Sequence, residues 1–308
     1  MKKSIILTLL FATIISIFAC KKEPLSSNNQ ATADRVSFTN YEAFKQTFND
    51  LSKLSSTEEM RNWSKSKGVS NLLDTEDAEL QKLPHAFLAI LNKNAEFEMD
   101  NYIIWYHSGK LYKFDKQEEE AIESLKKSPE KCQVAGTASS ELVKTAEERA
   151  SNIPVNGNSN YQLQFTQMNY QPCGGNFTGV TGVRKYVHEV YSFSISYTTN
   201  GVPTHNVYLY LRLKLEYRTS NNRWRKAGEQ RAMTVNVSGN ASVFPGGIPM
   251  GFSINQSLTC ANDVEALIGF QTVYGPINYW ILNMSGTITH RVMGDIASNT
   301  WTNSGILW

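Results

Sequence analysis

The chain of 308 residues has little of what usually advertises chemistry. It holds four cysteines and five histidines, and the histidines, at 85, 107, 188, 205 and 290, are scattered. No Cys or His spacing matches a zinc or haem motif, so the sequence offers no cofactor. No glycine-rich stretch has the pattern of a phosphate loop, and Gly246-Gly247 reads as a turn. There is no internal repeat. Neither sign of charge dominates: 30 Lys and Arg stand against 28 Asp and Glu, too even a balance to imply a nucleic-acid partner.

Long apolar runs are missing as well, except for one at the start. Lys2 and Lys3 precede an almost wholly apolar stretch from Ile5 to Ala19, and polarity returns abruptly at Cys20-Lys21-Lys22-Glu23. The run is shorter than the roughly 20 residues a spanning helix needs. It has the charged start, short apolar core and small-residue cleavage site of a signal peptide. Its last four residues, Ile17-Phe18-Ala19-Cys20, resemble the lipobox of bacterial lipoprotein precursors. That resemblance implies a signal peptide over 1–19, cleavage before Cys20, lipid on its sulfur and acylation of the new amine. Each buried methylene contributes about 0.8 kcal/mol and one acyl chain holds only marginally, whereas two or three on one cysteine hold essentially permanently. Lys21, in place of Asp, fits sorting to the outer membrane. Glu23 is the one acidic residue just after the cysteine, and the side of the membrane stays open.

Residues 20–35 are rich in Ser, Asn, Ala and Thr and lack periodicity, as expected of a flexible tether. Residues 36–128 read as a small α+β module. Thr39 and Glu42 have capping-box spacing ahead of Tyr41, Phe44, Phe48 and Leu51, which recur at helical intervals. A second helix is expected from Ser56, with Glu59 three residues on, and a third from Pro84. The stretch AEFEMDNYIIWYHSGKLYKF then reads as a β-meander, followed by the charged helix KQEEEAIESLKK. The pattern FLAILN, EFEMDNYIIWY, GKLYKF resembles a segment found in cell-envelope lipoproteins of the Bacteroidota, a likeness that brings no assigned activity with it.

Residues 129–160 read as a linker around a short helix near 141–150. From Tyr161 the period changes from 3.6 to 2. Val207, Leu209, Leu211, Leu213 and Leu215 share one face of a strand, and Tyr208, Tyr210, Arg212, Lys214 and Glu216 share the other. Alternation of this kind means antiparallel strands with one wet face. Six to eight such strands need a second sheet or closure to hide their apolar side, so residues 161–308 are expected to form an antiparallel β-sandwich, with a barrel as alternative. The two parts differ in charge: residues 20–150 carry 18 basic and 22 acidic side chains, and residues 151–308 carry 10 and 6.

The candidate chemistry is sparse. His188 and Glu189 are neighbours on a strand, point to opposite faces and cannot act together. His290 falls on an apolar face with Trp280 and Leu282 and reads as a hydrogen-bonded core histidine. Cys173, in the loop QPCGGN, is either one half of a disulfide with Cys260 or the thiolate of a hydrolase, with Cys132 left over. Asp263 and Glu265 are an alternative pair of catalytic carboxylates. The segment YRTSNNRWRKAGEQR groups Arg218, Arg223, Trp224, Arg225, Lys226 and Arg231 around a hairpin turn. It reads either as a cationic-aromatic patch for an anionic glycan, lipopolysaccharide or nucleic acid, or as a charged tip that blocks edge-to-edge aggregation. Tyr208, Tyr210, Trp301 and Trp308 are either stacking platforms for sugar or covers for a neighbouring domain. The leading expectation is a lipid-anchored, non-catalytic envelope protein binding a glycan or a protein partner. A cell-envelope hydrolase is the alternative, and a pore-forming assembly built on the long strands at 186–218 a third reading.

Overall fold

The computed structural model describes residues 34–54, 56–143, 160–199, 201–244, 246–275 and 279–308. Cys20, the signal peptide and nearly all of the expected tether lie outside these residues, as do 144–150 of the short helix expected near 141–150.

The described chain opens on β1 (Ser37–Phe38) and three helices, α1 (Tyr41–Ser52), α2 (Thr57–Ser66) and α3 (His85–Ile90). Asn40, not Thr39, caps α1, accepting from Ala43 N. Ser56 and Glu59 form a reciprocal capping box on α2. The stripe Phe44, Phe48 and Leu51 of α1 is buried. A meander follows, β2 (Glu96–Met99), β3 (Tyr102–His107) and β4 (Lys110–Asp115), then the short α4 (Ile122–Leu125). The remaining strands are β5 (Gln133–Leu142), β6 (Asn160–Gln167), β7 (Gly182–Thr199), β8 (Val202–Arg218), β9 (Trp224–Lys226), β10 (Arg231–Phe244), β11 (Met250–Ala261), β12 (Val264–Tyr274), β13 (Tyr279–Val292) and β14 (Trp301–Ile306).

They form two sheets. Ten strands run in the order β1-β2-β3-β4-β5-β7-β8-β12, with β6 also on β7 and β9 also on β8, and four run β11-β10-β13-β14. The larger sheet curls into a half-barrel. Only β1 and β2 pair in parallel among the described strands. Leu209, Leu211 and Leu213 of β8 face the smaller sheet, where Val235, Val237, Leu282 and Ile288 complete one core. Each such side chain contributes about 1.5–3 kcal/mol by leaving water.

Two expectations are corrected. The stretch read as a linker contains β5, and Thr137 pairs with Lys110 on one side and Ser196 on the other. Residues 34–308 therefore make one compact unit, with the meander and the long strands in a single sheet. The second correction concerns the wet face of β8. Tyr208 and Tyr210 are buried with Tyr191 and Phe193 under α1 and α3. Tyr210 shares a hydrogen bond of 2.8 Å with Ser52, and Asn206 Nδ2 donates to the Tyr41 hydroxyl at 2.6 Å. The helices supply the cover, giving three layers: helix, large sheet, small sheet.

At the start of the described chain Arg35 is held by Glu96 at 2.7 Å and Glu119 at 2.5 Å, and Lys126 closes on the other oxygen of Glu96 at 2.5 Å. Among the described residues, no helix is long and apolar enough to cross a membrane.

Candidate functional site

The hairpin between β8 and β9 turns on Thr219–Arg223. Thr219 N donates to Arg223 O, Arg223 N donates to the Thr219 hydroxyl, and Asn222 takes the left-handed conformation that asparagine tolerates. This sets Arg218 opposite Trp224 and Tyr217 opposite Arg225. The Lys185 ammonium lies 4.6 Å from the centre of the Trp224 ring, and the Arg184 guanidinium 5.8 Å from that of Tyr217.

The hairpin forms one wall of a cleft of about 490 Å³. Tyr217, Arg223, Trp224, Arg225 and Lys226 line that wall, and Asn262 and Asp263 of the β11–β12 turn close its base. The opposite wall is the segment running from α2 towards α3, with Arg61, Asp74, Glu76 and Gln81. Arg61 is bound to Asp74 at 2.9 Å. Arg223 and Arg225 are exposed and make no ion pair with the described residues, so the cleft mixes two aromatic surfaces, two uncommitted guanidinium groups, the paired acids Asp74 and Asp263, and the exposed Glu76.

Beneath it lies a buried charge network. Asp263 meets Lys226 at 2.6 Å and Arg231 at 3.2 Å. Burial alone pushes the Asp263 carboxyl up, but Lys226 and Arg231 outweigh it and hold it below the usual range. Arg231 is fully buried and donates from Nη1 to His290 Nε2 at 2.7 Å, which leaves the imidazole neutral. Burial, with the Arg231 charge beside it, drives the His290 pKa well down.

Glu265, two residues along β12, accepts from Arg212 Nε at 2.8 Å, from the Tyr191 hydroxyl at 2.6 Å and from His85 N at 2.7 Å. Burial raises its pKa, and His85, Arg212 and these hydrogen bonds carry it below the ordinary carboxylate value. Arg212 donates onward to the carbonyls of Gln81 and Leu83 at 2.9 and 2.8 Å, tying the sheet to the segment that walls the cleft.

The geometry sorts the expected residues. Arg218, Arg223, Trp224 and Arg225 do surround a hairpin turn, but Lys226 is committed to Asp263 and Arg231 is a core residue. Trp308 is fully buried and so is no sugar platform, and Trp301 is half-buried with one face stacked on His188 at 3.9 Å. Cys173 and Cys260, 87 residues apart, form a disulfide. In the chain-entropy model a loop of that size stabilises by about 4.5 kcal/mol. A disulfide sulfur is no thiolate, so Cys173 lacks the nucleophile a cysteine hydrolase needs. Asp263 and Glu265 are both held ionised by arginine, and a general acid needs the opposite shift. His188 and Glu189 part as strand neighbours do: His188 meets Trp301, and Glu189 meets Lys214 at 2.8 Å. Among the described residues no three His, Cys, Asp or Glu side chains are grouped to hold a metal ion.

Sequence reasoning missed the Arg61–Asp74 wall and the Arg212–Glu265 pair. The second left a trace: a charge at 212 continues a face that carries tyrosine at 208 and 210.

No family model matches the chain, and no curated protein matches it. Among solved structures it is similar to the crystal structure of a DUF4848 family protein from Bacteroides thetaiotaomicron, a member of the Bacteroidota. The two are 11% identical over 89% of this chain and 97% of that one, with a TM-score of 0.21. A likeness at that score supports no argument about activity.

Proposed function

We propose that the protein is a lipid-anchored component of a bacterial cell envelope, at the outer membrane, that binds without catalysis and takes a short anionic glycan in the cleft beside the β8–β9 hairpin. The observation that carries this reading is the pairing of Trp224 and Tyr217 with the uncommitted Arg223 and Arg225 along one wall of a 490 Å³ cleft. Clefts of roughly 300–1,000 Å³ suit small ligands. Aromatic faces supply sugar-ring contact, and a guanidinium offers carboxylate or phosphate a two-pronged hydrogen-bond donor. The anchor rests on the lipobox resemblance at Cys20. A hydrolase is the weaker reading, because the disulfide and the two arginine-held carboxylates occupy every group it would use. A pore is weaker still, since Arg212 is buried and Lys214 and Glu216 are taken up in ion pairs within the fold.

Two measurements test the proposal. Palmitate labelling marks the wild-type product and not Cys20→Ser; an unmarked wild type removes the anchor. Calorimetric titration with acidic oligosaccharides shows binding that Trp224→Ala and Arg223→Ala each weaken about tenfold, near 1.4 kcal/mol. Neutral oligosaccharides of equal length bind less. Binding indifferent to Trp224→Ala, or no binding by any acidic sugar, refutes the cleft as the site.

A further inference from the structure

The end of the molecule opposite the cleft has a different character. β8 runs 17 residues, from Val202 to Arg218, a length of roughly 50 Å. The cleft hairpin sits at its Arg218 end. At its Val202 end three connections converge. Tyr274 of β12 pairs with Thr204, and Gly275 N donates to Pro203 O. Gln271 of β12 donates to Ile248 O in the β10–β11 turn. Across the small sheet, Val243 pairs with Trp280 and Ala241 with Met250.

The tips of these connections are apolar and open to solvent: Ile248 is 79% exposed, Tyr274 71% and Val202 47%. The stretches of chain that carry them are themselves uncharged, and the charged side chains nearest this end, Glu42 and Lys45 of α1 and Lys110 of β4, belong to neighbouring elements. No Asp, Glu, Lys or Arg occurs between Glu189 and Arg212, between Arg231 and Asp263, or between Glu265 and Arg291. Those three stretches are the strands that build this end. The chain as a whole is 19% charged. The one ionisable imidazole here, His205, is half-buried against Ser196.

We infer that this uncharged end is a membrane-contact surface, in which Val202, Ile248 and Tyr274 insert shallowly into the interfacial layer of a bilayer. Separate apolar tips suit that environment better than a protein partner, which is usually met by a contiguous patch with an arginine or polar rim. Isoleucine and valine gain by leaving water, and tyrosine favours the boundary, where its ring is buried and its hydroxyl wet. With no Lys or Arg on the stretches that carry the tips, their insertion itself does not depend on anionic lipid. The strand ladder also brings the chain's start towards this end. Glu96, which Arg35 contacts, pairs through Trp105 and Tyr112 to Val134, three residues before Thr137, which pairs with Ser196 of β7. The 14 residues from 20 to 33 extend at most about 50 Å, so an anchored body keeps its tips within reach of lipid. This last step alone leans on the proposed anchor. Contact here directs the cleft away from the bilayer.

The test uses the chain from residue 21 onward, which has no acylated cysteine, floated with vesicles of phosphatidylcholine and phosphatidylethanolamine. The expected result is partitioning that survives about 1 M NaCl, where surface charge is screened within about 3 Å, and that phosphatidylglycerol does not increase. Val202→Ser, Ile248→Ser and Tyr274→Ser together lower it at least tenfold while the melting temperature holds. Absence of wild-type partitioning, loss of it in salt, equal partitioning by the triple variant, or self-association through these residues in place of vesicle binding each overturns the inference. Palmitate labelling of Cys20 reports separately, so failure of the anchor and failure of this surface are distinguishable.

Discussion

Arg212 shows how one residue decides between two layers. Its guanidinium reaches Glu265, Tyr191 and two carbonyls of the segment leading to α3, and it is nearly inaccessible to water. Removing one partner of a buried pair leaves an uncompensated charge and costs about 3–5 kcal/mol, while replacing both by apolar groups is close to neutral. Arg212→Met is therefore expected to lose about 3–5 kcal/mol in urea denaturation, and Arg212→Met with Glu265→Leu to recover a substantial part. A single variant within about 1 kcal/mol of wild type would falsify the assignment of this pair as the structural tie. The alternation along β8 placed Tyr208, Tyr210 and Arg212 on one face correctly. What it does not encode is which face is wet, because the cover is a set of helices more than a hundred residues earlier. For the same reason Arg218, Arg223 and Arg225 were legible as a hairpin tip, whereas the commitment of Lys226 and Arg231 to Asp263 was not. Their partner lies in another turn of the chain.

At the scale of elements, β5 is the instructive strand. Its sequence, QVAGTASSEL, lacks large alternating side chains and reads as linker. Packing explains the composition. A Cβ on Gly136 would lie 2.3 Å from the Ser196 carbonyl oxygen, so the backbones of β5 and β7 approach too closely for any side chain there. Ala138 is fully buried. Small residues record this proximity, and hydrophobic periodicity is blind to it. Gly136→Ala must push β5 off β7, an overpacking that costs about 1–3 kcal/mol. Hydrogen exchange localises the effect: the amides of β5 exchange faster in the variant while those of the β10–β13 ladder keep their protection. Unchanged exchange in β5 rules this account out. By contrast, α1, α2 and α3 were legible because the 3.6-residue period of α1, the Ser56–Glu59 capping box of α2 and the proline at the start of α3 are local properties.

Across the whole molecule, three buried histidines make stability depend on pH. His188 is fully buried, and burial, with the Arg231 charge, lowers its pKa to about 3. Burial also lowers His85 and His290. Free of the fold, histidine titrates near 6.5. As pH falls below that value the unfolded chain takes up protons that the folded chain refuses, so stability declines, by about 1.4 kcal/mol per pH unit for each such histidine. For His188 this window runs from about 6.5 to about 3. Asp263 and Glu265, held low in the fold, add their own loss as pH falls through the carboxylate range. The melting temperature should thus be nearly level above pH 7 and drop steadily below pH 6, and His188→Phe should flatten that slope. A melting temperature that is level down to pH 4 contradicts the burial of neutral imidazoles.

Arg35 has a mechanical consequence. Any pull delivered through the residues before Asp34 reaches the body at Arg35, where two carboxylates grip the guanidinium, and at the two-residue strand β1. Those contacts bear load ahead of the sandwich. Under tension this edge is expected to give way first, β1 detaching from β2 before the long ladders of either sheet part.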